Sequence, residues 1–214
     1  MTTIKTTIPR VLFQTNKKPN EQYVNDMILS KLENTWKYKF YNDEEVIQFF
    51  IFHPILDLPD IIAKYNSFRS GAHKADLFRY YYLYVKGGVF LDSDAMIYEN
   101  IGNVVQNYDF ISVESSVIPG TIFQGILGST PKNEIIKKAL YNAYYTDPDI
   151  LLYEYHYFCR DLYHIVKQDT NNYNIKLYRE YREDWNGDKI LDDNNKILFM
   201  HYWNTKIIPR LYYL

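Results

Sequence analysis

From Ala72 to Asp94 the chain reads as a helix, a double-glycine stop, a short apolar strand and two carboxylates, an order that constrains the rest of the fold. Ala72, Ala75, Arg79 and Leu83 recur at three- and four-residue steps and share one helical face, with Asp76 and Arg79 one turn apart. Tyr80-Tyr81-Tyr82 and Tyr84 cover most of the remaining circumference, which predicts a helix buried against a sheet. His73 and Lys74, at its start, are expected to face solvent. Gly87-Gly88 predicts the stop, because glycine tolerates the positive φ found at helix C-termini. Val89-Phe90-Leu91 then reads as a buried strand. Carboxylates at the exit of such a strand lie at the C-terminal edge of a sheet, where open α/β folds bind ligands. Asp92 and Asp94 are two apart; if strand geometry continues they face the same way and can grip one hard cation.

Asp-x-Asp alone says little, since a chain of this length holds about one by chance. Asp147-Pro148-Asp149 has the same spacing without an apolar strand leading into it, and Pro148 marks it as a turn or helix start. The specificity lies in the whole string: Ala75-Asp76, Arg79, Leu83, Gly87-Gly88, Phe90, then Asp92 and Asp94. That string resembles the Asp-x-Asp glycosyltransferases of the capsular-polysaccharide and yeast mannosyltransferase type (glycosyltransferase family 32-like), and the glucosylating clostridial toxins carry a similar segment.

The resemblance implies an α/β fold of the GT-A type, one domain over residues 1–214, with a mixed, mostly parallel central sheet flanked by helices. It implies a nucleotide-sugar donor, a glycan or other hydroxyl acceptor, transfer with retention of configuration, and a divalent cation. Mn²⁺ suits oxygen and imidazole ligands, with Mg²⁺ the alternative. Asp94 and His201 are the expected metal ligands, with Asp92 touching the ion or the ribose or sugar. Asp76 and Arg79 are expected on donor-sugar hydroxyls, Gln14 on the donor, Gln124 near the reacting groups and Lys206 on the diphosphate. Relatives open with Ile-Pro-x-x-x-His-Gln-x-Trp; here Phe13 and Asn16 stand at the His and Trp positions. The Gly-Pro pair common near residues 150–166 in relatives is absent, which leaves the acceptor side open.

Elsewhere the pattern supports strands at 8–13, 36–41, 110–113, 121–129 and 197–200. Helices are expected from Pro19 to about Leu32, after Asn42, over Ile61 to Tyr65, after Pro131 and across 150–166, the last as one element. Trp185-Asn186-Gly187-Asp188 reads as a hairpin turn. His53 reads as a structural turn residue and Cys159 as core. His201 is the first polar residue after the last apolar strand.

The 214 residues are 47% hydrophobic with a net charge of −2, which fits a globular chain and gives no electrostatic reason to expect nucleic acid. The single cysteine excludes an internal disulfide. With no eighteen-residue apolar run and no signal-peptide core at the start, the expected setting is cytoplasmic. Two other readings share part of the pattern. A haloacid-dehalogenase-like phosphatase also places Asp-x-Asp after an apolar strand, and Lys189, Asp192 and Asp193 could supply its later lysine and acidic pair. Its motif, however, lies near the N-terminus and continues with Gly-Thr, whereas Ala95-Met96 follow here. A catalytically silent sugar-nucleotide or glycan-binding protein on the same fold is the other.

Overall fold

The computed structural model of the chain describes residues 7–20, 22–168, 173–184 and 187–202. The first half runs β1 (Val11–Thr15), α1 (Gln22–Ser30), β2 (Lys37–Tyr41), α2 (Asp43–Phe52), α3 (Ile61–Ser67), α4 (Gly71–Lys86), β3 (Gly88–Leu91), β4 (Ala95–Ile97) and α5 (Ile101–Val105). The second runs β5 (Phe110–Glu114), β6 (Ile122–Ser129), α6 (Glu134–Tyr145), α7 (Ile150–Tyr153), α8 (Tyr157–Gln168), β7 (Ile175–Asp184), β8 (Gly187–Leu191) and β9 (Ile197–Tyr202). All nine strands belong to one sheet, ordered β2-β1-β3-β6-β5-β7-β8-β9-β4.

The sheet is mixed, as expected, but it is not mostly parallel. Three of the eight described pairings are parallel (β1–β2, β1–β3, β5–β7) and five are antiparallel. The reason is connection length. A parallel crossover needs a dozen or more residues. Helices supply it between β1 and β2, but β7, β8 and β9 follow one another through short turns.

Two apolar clusters cover the two faces of the sheet. One gathers Phe13, Phe50, Phe78, Tyr81, Tyr82, Phe90 and Phe158 under α2, α4, α6 and α8. The other holds Leu12, Ile28, Leu91, Met96, Ile126 and Phe199. α4 is buried on most of its circumference, as its tyrosines predict, and Tyr80, Tyr81 and Tyr82 are each 1% exposed or less. Ser70 caps its start through a bond from Ala72 N, and Gly87 closes it at φ 66°, its N–H donating to Leu83 O at 2.8 Å. The segment 150–166 is not one helix: α7 ends at Tyr153, capped by Glu154, and α8 begins at Tyr157, leaving a corner between them. The strands β7 and β8 flank the expected hairpin, whose residues 185 and 186 lie outside the described residues. Lys206 also lies outside them.

The placement of β3 and β4 decides the shape of the site. They are six positions apart in the sheet, a separation of roughly 29 Å at ~4.8 Å per strand if the sheet were flat. The chain joins Leu91 to Ala95 in four residue steps, which reach at most about 15 Å. The sheet therefore bends back on itself, and the β9–β4 edge closes over the exit of β3. Among the described residues no helix is long and apolar enough to cross a membrane.

Candidate active site

Asp92, Ser93 and Asp94 form the link between β3 and β4. They do not continue the strand. Asp92 N donates to Gly125 O at 2.7 Å and Ala95 N to Asp92 O at 3.0 Å, so the link is a tight turn. Gln14 holds it from below: its Nε2 donates to Asp92 O at 3.0 Å, while its Oε1 accepts from Asn20 Nδ2 at 2.8 Å and Tyr38 OH at 2.7 Å. Fully buried, with both ends of its amide engaged, Gln14 sits behind the cavity wall rather than in it. Asn16 Nδ2 reaches the same turn from above, 3.0 Å from Ser93 Oγ.

On the α4 side, Arg79 occupies the centre. Its Nη2 lies 3.3 Å from Asp76 Oδ1 and 3.4 Å from Asp92 Oδ1. Nη1 donates to Gln124 O at 2.5 Å and Nε to Ala75 O at 3.3 Å, and the guanidinium lies 4.1 Å above the Phe90 ring. Burial works against the Arg79 charge, but Asp92 and Asp76 outweigh it and hold the group protonated. Burial raises the pKa of Asp76 and of Asp92, with Arg79 pulling both back down. Asp92 is deep in the molecule yet keeps 28% of its side chain open, because the cavity reaches it.

β9 brings His201 to the turn. Its Nε2 lies 3.3 Å from Asp94 Oδ1, its ring packs on Phe123, and Tyr202 N donates to Asp94 O at 3.0 Å. Burial disfavours the imidazolium, but Asp94, Asp92 and Asp188 outweigh burial and raise its pKa. One donor atom each from Asp92, Asp94 and His201 falls within 4.8 Å of the other two. Donors around one ion with bonds of about 2.1 Å lie roughly 3 Å apart in cis and ~4.2 Å in trans. Closing that gap needs side-chain movement of under about 1 Å, so two carboxylates and an imidazole fit a divalent cation here.

These groups line one cavity of about 550 Å³, walled by α4 (Gly71 to Asp76, Arg79), the β1 exit (Thr15, Asn16, Lys17), β6 (Phe123 to Gly125) and the α7–α8 corner (Tyr155, His156, Cys159). Residues 11–111 match the model of the glycosyltransferase sugar-binding region containing a DXD motif. That stretch is similar to glycosyltransferase sugar-binding regions, and its Asp-x-Asp is Asp92-Ser93-Asp94. Over 92 residues, 42% of the chain, the sequence is 25% identical to the uncharacterized glycosyltransferase L373 of Acanthamoeba polyphaga mimivirus. That match spans only 37% of the relative's length. The fold is similar to that of the PaToxG glycosyltransferase at a TM-score of 0.56 and 13% identity, over 77% of this chain and 70% of that one.

Outside the DXD turn, several cavity residues escaped the sequence reading. His73 is 4% exposed rather than solvent-facing, because its Nε2 meets Tyr155 O at 3.0 Å and its ring lies among Tyr155, Phe68 and Phe158. Cys159 is partly exposed at the cavity wall rather than sealed in the core. Gly125 packs beneath Asp92: a Cβ there would meet Asp92 Oδ2 at 2.7 Å and Phe123 Cζ at 2.3 Å. The glycine two residues after an apolar β6 pair was the available signal for that close approach. Other expectations describe structural residues. Asp147 Oδ1 accepts from Asp149 N at the start of α7, and His53 closes α2 with its ring stacked on Phe49. The phosphatase reading fails on placement. Asp192 accepts from Asn194 N and Lys196 N in the β8–β9 turn, Asp193 pairs with Lys176, and neither lines the cavity.

Proposed function

We propose that the chain moves a sugar from a nucleoside-diphosphate donor to a hydroxyl of a glycan or other acceptor, with a divalent cation bound by Asp92, Asp94 and His201. The observation that carries this reading is the convergence of those three donors in the same cavity as the Asp76–Arg79 pair. A nucleoside diphosphate leaves poorly unless its charge is neutralised, and a divalent cation supplies that neutralisation as a Lewis acid. The carboxylate and imidazole set suits Mn²⁺ better than Mg²⁺.

The chain's own groups divide the remaining work. Asp94 and His201 would hold the ion. Asp92 Oδ1 is engaged by Arg79, so its other oxygen is the one available to ion, ribose or sugar. Asp76, next to the cavity and paired to Arg79, accepts from a donor-sugar hydroxyl. Arg79 opposes the upward push of burial on both carboxylates and fixes the β6 backbone at Gln124. Gln14 positions the turn from behind. Retention of configuration, implied by the motif's resemblance, belongs to this reading, and proton NMR of the product's anomeric coupling checks it.

The deciding experiment incubates the protein with a panel of nucleotide sugars and acceptors, with Mn²⁺, with Mg²⁺ and with chelator. Release of free nucleoside diphosphate in the metal-containing samples, abolished by chelator, is the expected result. Asp94→Asn should keep less than about a tenth of the rate, a loss above ~1.4 kcal/mol in barrier. Binding without release would mark a silent sugar-nucleotide-binding protein.

A further inference from the structure

Next to His201, β7 and β8 carry a row of charge. Arg182 of β7 stands opposite Asp188 of β8, and Asp188 stands opposite His201 of β9. Residues directly opposite in an antiparallel pair share one face, with Cβ atoms about 4.5–5.5 Å apart. The strands come close here because residue 187 is glycine, where a Cβ would run into His201 O. Asp188 is 3% exposed. Arg182 holds both of its oxygens, Nε donating to Oδ1 at 3.0 Å and Nη2 to Oδ2 at 3.4 Å. A buried carboxylate costs free energy even when paired, and an ion pair at the surface adds little, so the pair with Arg182 alone does not account for Asp188.

β9 lies between β8 and β4, so His201 has a carboxylate on either side. On the β4 side is Asp94, 3.3 Å from Nε2. On the β8 side is Asp188, one of the charges felt at the imidazole. A neutral imidazole carries one hydrogen, and the nitrogen that binds a cation must be bare. With Nε2 turned to Asp94, a bound ion requires the hydrogen on Nδ1. Asp94 by itself favours the opposite tautomer, because its carboxylate accepts from Nε2–H. Asp188 is the fixed negative charge that opposes this preference. Glu180, two residues before Arg182 and also buried, is committed elsewhere: it stands opposite Ile190 and accepts from Ser115 Oγ at 2.5 Å.

We propose that Asp188 is the positioning residue of His201. Paired across β8 and β9 and held by Arg182, it favours the imidazole tautomer with hydrogen on Nδ1, which leaves Nε2 bare on the Asp94 side to take a divalent cation. The role rests on the cation being bound by Asp92, Asp94 and His201, as proposed above. Groups behind a ligating histidine commonly change metal affinity by about 10–100-fold when removed.

The test uses the full chain and reads two quantities, neither of them activity. The first is nitrogen NMR of the metal-free protein at a pH where the His201 imidazole is neutral, with His201→Ala assigning the signals. Asp188→Asn, which keeps the shape and removes the charge, should lower the ratio of Nδ1–H to Nε2–H at least about threefold. The second is Mn²⁺ affinity by calorimetry. Asp188→Asn should weaken Mn²⁺ at least about tenfold, and should change it by less than about twofold when His201 is already alanine. Arg182→Gln, a surface change that frees the Asp188 carboxylate, should shift both readings in the same direction, and it carries the test if Asp188→Asn does not fold. An unchanged tautomer ratio, or an equal loss of Mn²⁺ affinity with and without His201, would overturn the role while leaving the cation reading standing; Asp188 would then act on the fold or as a distant charge. If the unaltered protein binds no Mn²⁺, or binds it as tightly without His201, the metal role of His201 falls and the positioning role falls with it.

Discussion

Arg79 spreads its charge over four oxygen atoms and one aromatic face: Asp76, Asp92, the backbone of Gln124 and Ala75, and Phe90. Lysine would keep the charge but lose the planar fork that reaches these partners together. Arg79→Lys should lower transfer at least about a hundredfold, roughly 2.7 kcal/mol of barrier, with nucleoside diphosphate affinity within about threefold. Equal loss of both, measured by kinetics and calorimetry, would show that Arg79 holds the phosphates. Gly125 is the other sensitive position. A Cβ there pushes on Asp92 Oδ2 and on the Phe123 ring that packs against His201. Overpacking of this kind costs about 1–3 kcal/mol, so Gly125→Ala should lower the thermal midpoint by only ~2–12 °C. It should nevertheless cut transfer more than about tenfold, because the shift falls on the carboxylate. Asp76, Arg79, Asp92 and Asp94 stood out in the sequence because the whole string around them resembles a known glycosyltransferase motif, with helix period adding only that Asp76 and Arg79 lie one turn apart. His73, Tyr155 and Cys159 could not. Their meeting depends on a corner between two helices more than fifty positions away from Asp92.

The helix α4 and strand β3 were legible because each carries a local stop signal. Gly87 shows how much depends on it. Its φ of 66° is costly for any residue with a Cβ, and that Cβ would also lie 2.8 Å from the rings of Pro131 and Pro9. Gly87→Ala should therefore destabilise the fold by about 2–5 kcal/mol, the sum expected for a left-handed alanine in a crowded site. A denaturant titration reads it, and a loss below about 1 kcal/mol would show that the corner can relax. Elements without such signals were read less well. The 150–166 stretch has continuous helical character, but Glu154 adopts φ −124° and ψ 75° and breaks it. β7 alternates polar and aromatic residues, with Tyr178 and Glu180 buried and Arg179 and Tyr181 exposed, so no apolar run announces it. The expected dominance of parallel pairing failed for the same reason: the antiparallel meander of β7, β8 and β9 was the part least visible in the sequence.

The pairing of β4 with β9 sets His201 opposite Ala95 and so beside Asp94, although more than a hundred positions separate them, and the bend of the sheet brings the exit of β3, with Asp92, to the same place. A cation bound by Asp92, Asp94 and His201 would tie the exit of β3 to β9, and through β9 to the β8 and β4 strands at the far edge. In the unfolded chain His201 and the two aspartates share no such site, so binding favours the native state. At a metal concentration a hundred times the dissociation constant this is worth ~2.7 kcal/mol. For a chain of this size that becomes a rise of roughly 5–11 °C in thermal midpoint. Asp94→Asn and His201→Ala should each remove most of the rise while leaving the midpoint without metal within a few degrees. The imidazole must be neutral to bind a metal, so the rise should be larger at pH 8 than at pH 6. Differential scanning fluorimetry with Mn²⁺, at both pH values and with Ca²⁺ for comparison, measures all of this. If Mn²⁺ raised the midpoint of His201→Ala as far as that of the unaltered protein, the ion would be held by the aspartates alone. The bend would then serve to cover the cavity, with His201 bonded to Asp94 as a contact between β9 and the turn after β3.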